Sequence, residues 1–281
     1  MRGLSGKVAM VVGAGSGIGR AAAHRLAEEG ASVAVLDIEE DAAVTTAAEI
    51  ESGGGCGVAL RADATSPDDV VRAVERVLAR LGGIDVLVNS VARVPRRTMY
   101  DITPQEWRDT VDACLFSYFV TTRSTLPHLI SRGGGKVVNV CSVTAHVGAQ
   151  LPAYSAAKGA VLAWSREIAV EFAHHGITVN TVSPGVIETP INAKVLGTDA
   201  VRATMLDAIP LERLGQPEDV AAAIAFLASS DADFISGADI VVDGAMIAST
   251  SWGTARTAWR THDITATAPT TAERGAAHRT M

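Results

Sequence analysis

A valine-rich run over residues 7–12 breaks into Gly13-Ala14-Gly15-Ser16-Gly17-Ile18-Gly19, and an alanine-rich stretch with helical spacing follows to residue 29. Buried strand, glycine loop and helix in immediate succession constrain the fold more than any other feature of the chain. Glycines let the backbone turn sharply and leave N–H groups free to meet a phosphate at the positive end of the helix. A second apolar run, residues 32–36, ends in Asp37. That carboxylate lies about twenty residues beyond the loop, where a dinucleotide-binding unit sets an acid against an adenosine ribose.

The alternation continues. Helical spacing covers 39–52, a strand covers 57–61 and ends near Asp63, and Ser66-Pro67 opens a helix to 81. Strands at 84–88, 136–140, 177–182 and 240–242 are separated by helical stretches at 103–132, from Pro152 to about 174, and at 217–229. Residues 191–214 have no regular period; Val195, Leu196, Met205 and Leu206 there suit a lid over an apolar substrate. The pattern predicts an α/β fold, a single doubly wound parallel sheet (Rossmann-like) with helices on both faces, over residues 1–246. A Thr- and Ala-rich segment, 247–281, loses the apolar period and reads as a poorly ordered tail.

Composition excludes several classes. Hydrophobic residues make up 48% of the 281 and aromatic ones only 4%, so the core is built from Ala and Val packed closely on a sheet. Net charge is −7 with no basic stripe, which argues against a nucleic-acid partner. Cys56, Cys114 and Cys141 are odd in number and form no C-x-x-C pair, so neither a metal nor a disulfide framework is predicted. The first apolar run stops at Gly13, too early for a signal peptide or membrane span, and a cytoplasmic setting is predicted.

Chemistry concentrates between Ser142 and Lys158. Tyr154 and Lys158 lie four apart in an alanine-rich helical run, so both rise from one face. An ammonium beside a phenol favours the phenolate, and a tyrosine whose pKa is lowered toward neutrality can exchange a proton with a hydroxyl or carbonyl substrate.

With the glycine loop, Asn89, Ser142, Tyr154, Lys158 and Pro184-Gly185 in this order, the chain resembles the short-chain dehydrogenase/reductase family over about residues 5–246. The resemblance implies that Gly13, Gly17 and Gly19 form the coenzyme loop, with Ile18 beside the pyrophosphate. Asp37 would bind the adenine ribose, Asp63 and Ala64 the adenine, and Asn89 the neighbouring ribose region. Pro184 and Gly185 would lie at the coenzyme, and Ile187 and Thr189 would face the nicotinamide carboxamide. Ser142 would hold the substrate oxygen and Tyr154 would transfer its proton. Lys158 would hold the nicotinamide ribose. A secondary alcohol or ketone, tilted by the apolar lid toward a hydrophobic ring, is the implied substrate, and a homotetramer the implied assembly. A carboxylate at Asp37 accepts from a ribose diol and repels a 2′-phosphate, and neither Ser16 nor Ile38 supplies a base for one; NAD is the predicted coenzyme.

Two departures stand out. Asn89-Ser90-Val91-Ala92 replaces the family's Asn-Asn-Ala-Gly, and Cys114 stands where the family has a fourth catalytic residue, an asparagine. The thiol is a weaker hydrogen-bonding group, which keeps open an alternative in which the chain is an NAD(H)-binding sensor or scaffold with weak or no catalysis. His146 reads as a solvated loop residue rather than a substrate contact. Arg93, Arg96 and Arg97 read as a solvated charge run, with contact to an acidic substrate as the alternative.

Overall fold

Every residue of β1 (Val8–Val12) is buried, which places this strand at the centre of the sheet rather than at an edge. In the computed structural model, which describes residues 1–249, seven parallel strands follow the order β3-β2-β1-β4-β5-β6-β7. The others are β2 (Ser32–Asp37), β3 (Cys56–Arg61), β4 (Val86–Asn89), β5 (Gly135–Val140), β6 (Ile177–Pro184) and β7 (Asp239–Val242). Strands are crossed by α1 (Gly17–Glu28), α2 (Glu40–Ser52), α3 (Pro67–Leu81), α4 (Pro104–Val111), α5 (Ser117–Ser131), α6 (Pro152–Phe172), α7 (Pro190–Ala193), α8 (Asp199–Ala208) and α9 (Pro217–Ala228). The predicted doubly wound α/β architecture is therefore present.

Alternate strand residues feed two cores, one on each face. Ala9, Val11, Val33, Val35, Val86 and Val88 pack with Ala22, Leu26, Ile50 and Ile224. Met10, Val12, Leu36 and Leu87 pack with Val70, Val74, Val77 and Leu129 on the opposite face. Small side chains let the helices lie close, as the alanine-rich composition requires.

Chain direction across the sheet reverses between β1 and β4, where Val12 lies beside Asn89. Ligands of open α/β sheets bind beyond the carboxyl ends of the strands at such a reversal. Gly13, Ser90 and Ser142 all follow strand ends at that edge.

Two stretches differ from the sequence reading. The predicted continuous helix over 103–132 is α4 and α5 joined by a π-helical turn, Asp112–Phe116, holding Cys114. Hydroxyls on this stretch bond carbonyls four residues back, Thr110 Oγ1 to Glu106 O at 2.6 Å and Ser117 Oγ to Ala113 O at 2.7 Å. The stretch 191–214, read as irregular, contains α8, whose Thr198 cap accepts from Val201 N at 3.4 Å. Residues Met1–Ile247 form one compact unit; the tail reading concerns residues that, beyond Ser249, lie outside those described. No helix among the described residues is long and apolar enough to cross a membrane.

Candidate active site

The glycine loop sits where it must because its neighbours leave no room for side chains. A Cβ on Gly13 would meet the Ser90 carbonyl carbon at 3.1 Å, and one on Gly15 would meet the Asp37 carboxylate at 2.8 Å. Gly17 has φ 53° and opens α1. No acidic residue lies in the first turn of α1, and its N-cap Ser16 makes no side-chain cap. The helix therefore keeps unpaired N–H groups and an uncompensated positive end for a pyrophosphate. Gly19 serves differently: a Cβ there would lie 2.0 Å from the Gly13 carbonyl oxygen. It packs the loop onto α1 and, unlike Gly13, Gly17 and Ile18, does not line the cavity.

That cavity, about 960 Å³, runs from the ends of β1 to β3 past β4 to β6. At the end formed by β1 to β3, Asp37 Oδ2 accepts from Gly15 N at 2.7 Å and Oδ1 from Glu39 N at 3.1 Å, which fixes the carboxylate toward the loop. Asp63 Oδ1 accepts from Thr65 N and Oγ1 at 2.8 and 2.7 Å, between the small Ala62 and Ala64. No Lys or Arg lines this end among the described residues. Pro184, Gly185, Ile187 and Thr189 form the opposite wall. Thr189 lines this wall, and its Oγ1 is itself buried and makes no hydrogen bond. These groups fit a nicotinamide dinucleotide.

Asn89 departs from its predicted place. Its Nδ2 donates to Asn139 Oδ1 at 2.8 Å, its Oδ1 accepts from Thr121 Oγ1 at 2.7 Å, and Asn139 continues to Ser165 Oγ at 2.9 Å. The side chain is committed to a buried network linking β4, β5, α5 and α6, and Ser90 takes its place on the cavity wall.

Ser142, Tyr154 and Lys158 meet at the bottom of the cavity. Ser142 follows β5 in extended conformation, its Oγ accepting from Thr144 N at 3.2 Å and Thr144 Oγ1 at 3.1 Å. Tyr154 and Lys158 project from the first turns of α6, with Lys158 Nζ 5.8 Å from the Tyr154 ring centre. Lys158 is 1% exposed; its Nζ donates to Val140 O at 2.7 Å and to Tyr118 Oη at 3.0 Å.

The phenol's acidity runs against the sequence expectation. Desolvation pushes Tyr154 up to about 12, outweighing the Lys158 ammonium and a hydrogen bond with Ser142, which both pull it down. Tyr154 is half-buried and faces the cavity. Burial also raises the Cys141 thiol, whose Sγ donates to Lys158 O at 3.1 Å, so it packs rather than reacts.

Cys114 is fully buried, its Sγ accepting from Arg93 N at 3.3 Å and donating to Arg93 O at 3.5 Å. His146 turns away from the cavity to Asp239 Oδ2 at 2.8 Å. Arg93 pairs with Asp109 and Arg97 with Glu106, both at 3.3 Å, while Arg96, on the cavity rim, donates to neutral Asn192 Oδ1 at 2.7 Å. Beside Asn192, Val195, Leu196 and Met205 supply an apolar wall. Tyr118 is the residue the sequence reading missed; a lone tyrosine in an apolar helix gives no signal of the amine it meets.

The family model described as enoyl-(acyl carrier protein) reductase matches residues 13–246. The chain is 37% identical over 241 residues to a cyclohexanol dehydrogenase of Acinetobacter sp., covering 85% of this chain and 94% of that protein. It is 41% identical over 241 residues to a cis-4-hydroxycyclohexanecarboxylate dehydrogenase of Sinomonas cyclohexanicum, covering 85% and 95%. Among solved structures it is similar to a short-chain type dehydrogenase/reductase from Mycobacterium marinum, with TM-score 0.83, 35% identity, and 86% and 96% coverage.

Proposed function

Because the chain belongs to the short-chain dehydrogenase/reductase family, which works with nicotinamide coenzymes, we propose that it oxidises a cyclic secondary alcohol with NAD, using Tyr154, Lys158 and Ser142. The observation that carries this reading is the convergence of the three side chains beside a cavity with an apolar far wall. When bound, the oxidised nicotinamide supplies a hydride acceptor. The protein's own residues handle the proton. Tyr154 Oη takes it from the substrate hydroxyl as the carbinol becomes a carbonyl, and Lys158 supplies the positive charge that favours the phenolate. Ser142 Oγ orients the oxygen on which charge develops. Asp37 holds the adenine ribose diol, Asp63 and Ala64 border the adenine, and the Thr189 hydroxyl meets the carboxamide.

NAD is favoured over NADP by Asp37 and by the lack of basic side chains lining the adenosine end among the described residues. A cyclic substrate is favoured by the names of the two relatives, and Arg96 makes a ring bearing a carboxylate a natural member of the class. The test is NADH formation from NAD over a panel containing cyclohexanol, 4-hydroxycyclohexanecarboxylate, linear secondary alcohols and a 3-hydroxyacyl thioester. Turnover of a ring alcohol is expected, and Tyr154→Phe should lower kcat by about 10²–10⁴ while leaving NADH affinity within about threefold. NADH binding without turnover of any alcohol would instead select the sensor reading.

A further inference from the structure

Lys158 carries its charge in a nearly closed pocket, and what faces it there decides how it is held. An ammonium has three N–H donors, and a buried one left without an acceptor is costly. Val140 O takes one at 2.7 Å and Tyr118 Oη a second at 3.0 Å, leaving the third for the cavity. Tyr118 is 1% exposed and enters from α5, one turn after Cys114. Its own hydroxyl proton has two carbonyls within reach, Val91 O at 3.1 Å and Val140 O at 3.0 Å. The oxygen is thus oriented with its lone pairs toward Nζ, and the ring itself lies 4.6 Å from the ammonium. Val91, in the loop that departs from the family's pattern, offers its carbonyl to Tyr118, and the Cys114 thiol is occupied with Arg93.

We propose that Tyr118 is a positioning residue for Lys158: its buried hydroxyl anchors the ammonium from behind and aims the remaining N–H at the coenzyme and Tyr154. Desolvation holds the Tyr118 phenol well above its ordinary range, so it stays protonated at working pH. With that proton directed to a carbonyl, Tyr118 does not relay protons inward, and the proton collected by Tyr154 leaves through the cavity. The proposal rests on the reading of Tyr154 and Lys158 as the acid/base pair.

The test is Tyr118→Phe in the full chain, read in two ways. In protein labelled with 15N-lysine, Lys158, assigned by comparison with Lys158→Met, is expected to give an ammonium resonance protected from solvent exchange. In the Phe variant that exchange should be at least about tenfold faster. In alcohol oxidation, the rising limb of the variant's pH profile should move toward alkaline pH by about one unit. Its kcat near neutrality should fall about tenfold, alcohol KM should stay within about twofold, and the rate should recover at higher pH. A merely structural role would lower the yield of folded protein without moving either the profile or the resonance. Either readout unchanged from wild type overturns the assignment. The resonance needs no turnover, so a wild type that oxidises no alcohol sinks the functional reading while the ammonium alone decides on Tyr118. If the Phe variant does not fold, 3-fluorotyrosine at 118 keeps the shape and weakens the acceptor; an ammonium resonance then identical to wild type overturns the proposal.

Discussion

Tyr154 shows how a single residue can be legible in identity and illegible in state. Its spacing from Lys158 marks the pair, but the sequence says nothing of how much water reaches the ring, and in the fold desolvation outweighs the ammonium. The sign for catalysis follows. A phenol raised to about 12 is protonated at neutral pH, so the fraction of phenolate available to abstract a proton grows with pH. Oxidation should therefore rise with pH, by up to about tenfold per unit, through the whole range below the phenol's working pKa. Ketone reduction, which consumes the protonated form, should be flat there and decline only at the alkaline end. Steady-state rates in both directions between pH 6 and 10 check this, and oxidation falling with pH would remove Tyr154 as the base. Asp37 carries a second residue-scale expectation. Its carboxylate faces the loop through Gly15 N, and Asp37→Ser removes the charge that repels a 2′-phosphate. The NAD to NADP preference in kcat/KM should fall by about tenfold or more, measured with one alcohol and both coenzymes.

At the scale of elements, the strands and most helices could be read from periodicity, because a sheet covered on both faces demands continuous Val and Ala runs and Pro or Ser at helix starts. The π-turn could not. Hydroxyl back-bonds flank it, Thr110 to Glu106 and Ser117 to Ala113, but the same kind of bond runs through regular helix at Thr121 and Thr125, so nothing in the composition marks the turn. Asn89 is a related case: a polar residue at a strand end reads as a ligand contact, and here three buried partners hold its side chain. Cys114 sits on this π-turn. Its thiol accepts from Arg93 N and donates to Arg93 O, the two bonds an asparagine side chain would make more strongly. Cys114→Val, which keeps bulk and removes both bonds, should cost about 1–3 kcal/mol and raise the alcohol KM by loosening the loop beside Val91. Cys114→Asn should be as stable as wild type or more so. Denaturant unfolding of both variants decides; a Val variant as stable as wild type would show that the thiol is only packed.

For the whole molecule, the reading from the sequence succeeded where a feature follows from repeated chemistry, and stopped where it depends on surfaces meeting. The order of strands follows from strand–helix alternation, and with it the place of the cavity at the reversal between β1 and β4. What lies against the outer helices does not follow. Phe116 and Phe119 remain 38% and 40% exposed, with Arg123 near the Phe119 ring at 5.9 Å, and Val170 on α6 is 79% exposed. We propose that these apolar groups on the π-turn, α5 and α6 are covered by other copies of the chain in a homotetramer. Since α5 also delivers Tyr118 and α6 delivers Tyr154 and Lys158, an interface along the two helices would stiffen the elements that hold the acid/base pair. Phe119→Asp combined with Val170→Glu should leave the secondary structure intact, because neither side chain is buried within one chain. It should reduce the mass in light scattering from four chains to two or one. Unfolding should then come at lower temperature and depend less on protein concentration. A double variant that keeps the mass of four chains would place the interface elsewhere, and a wild type with the mass of one chain would remove the tetramer altogether.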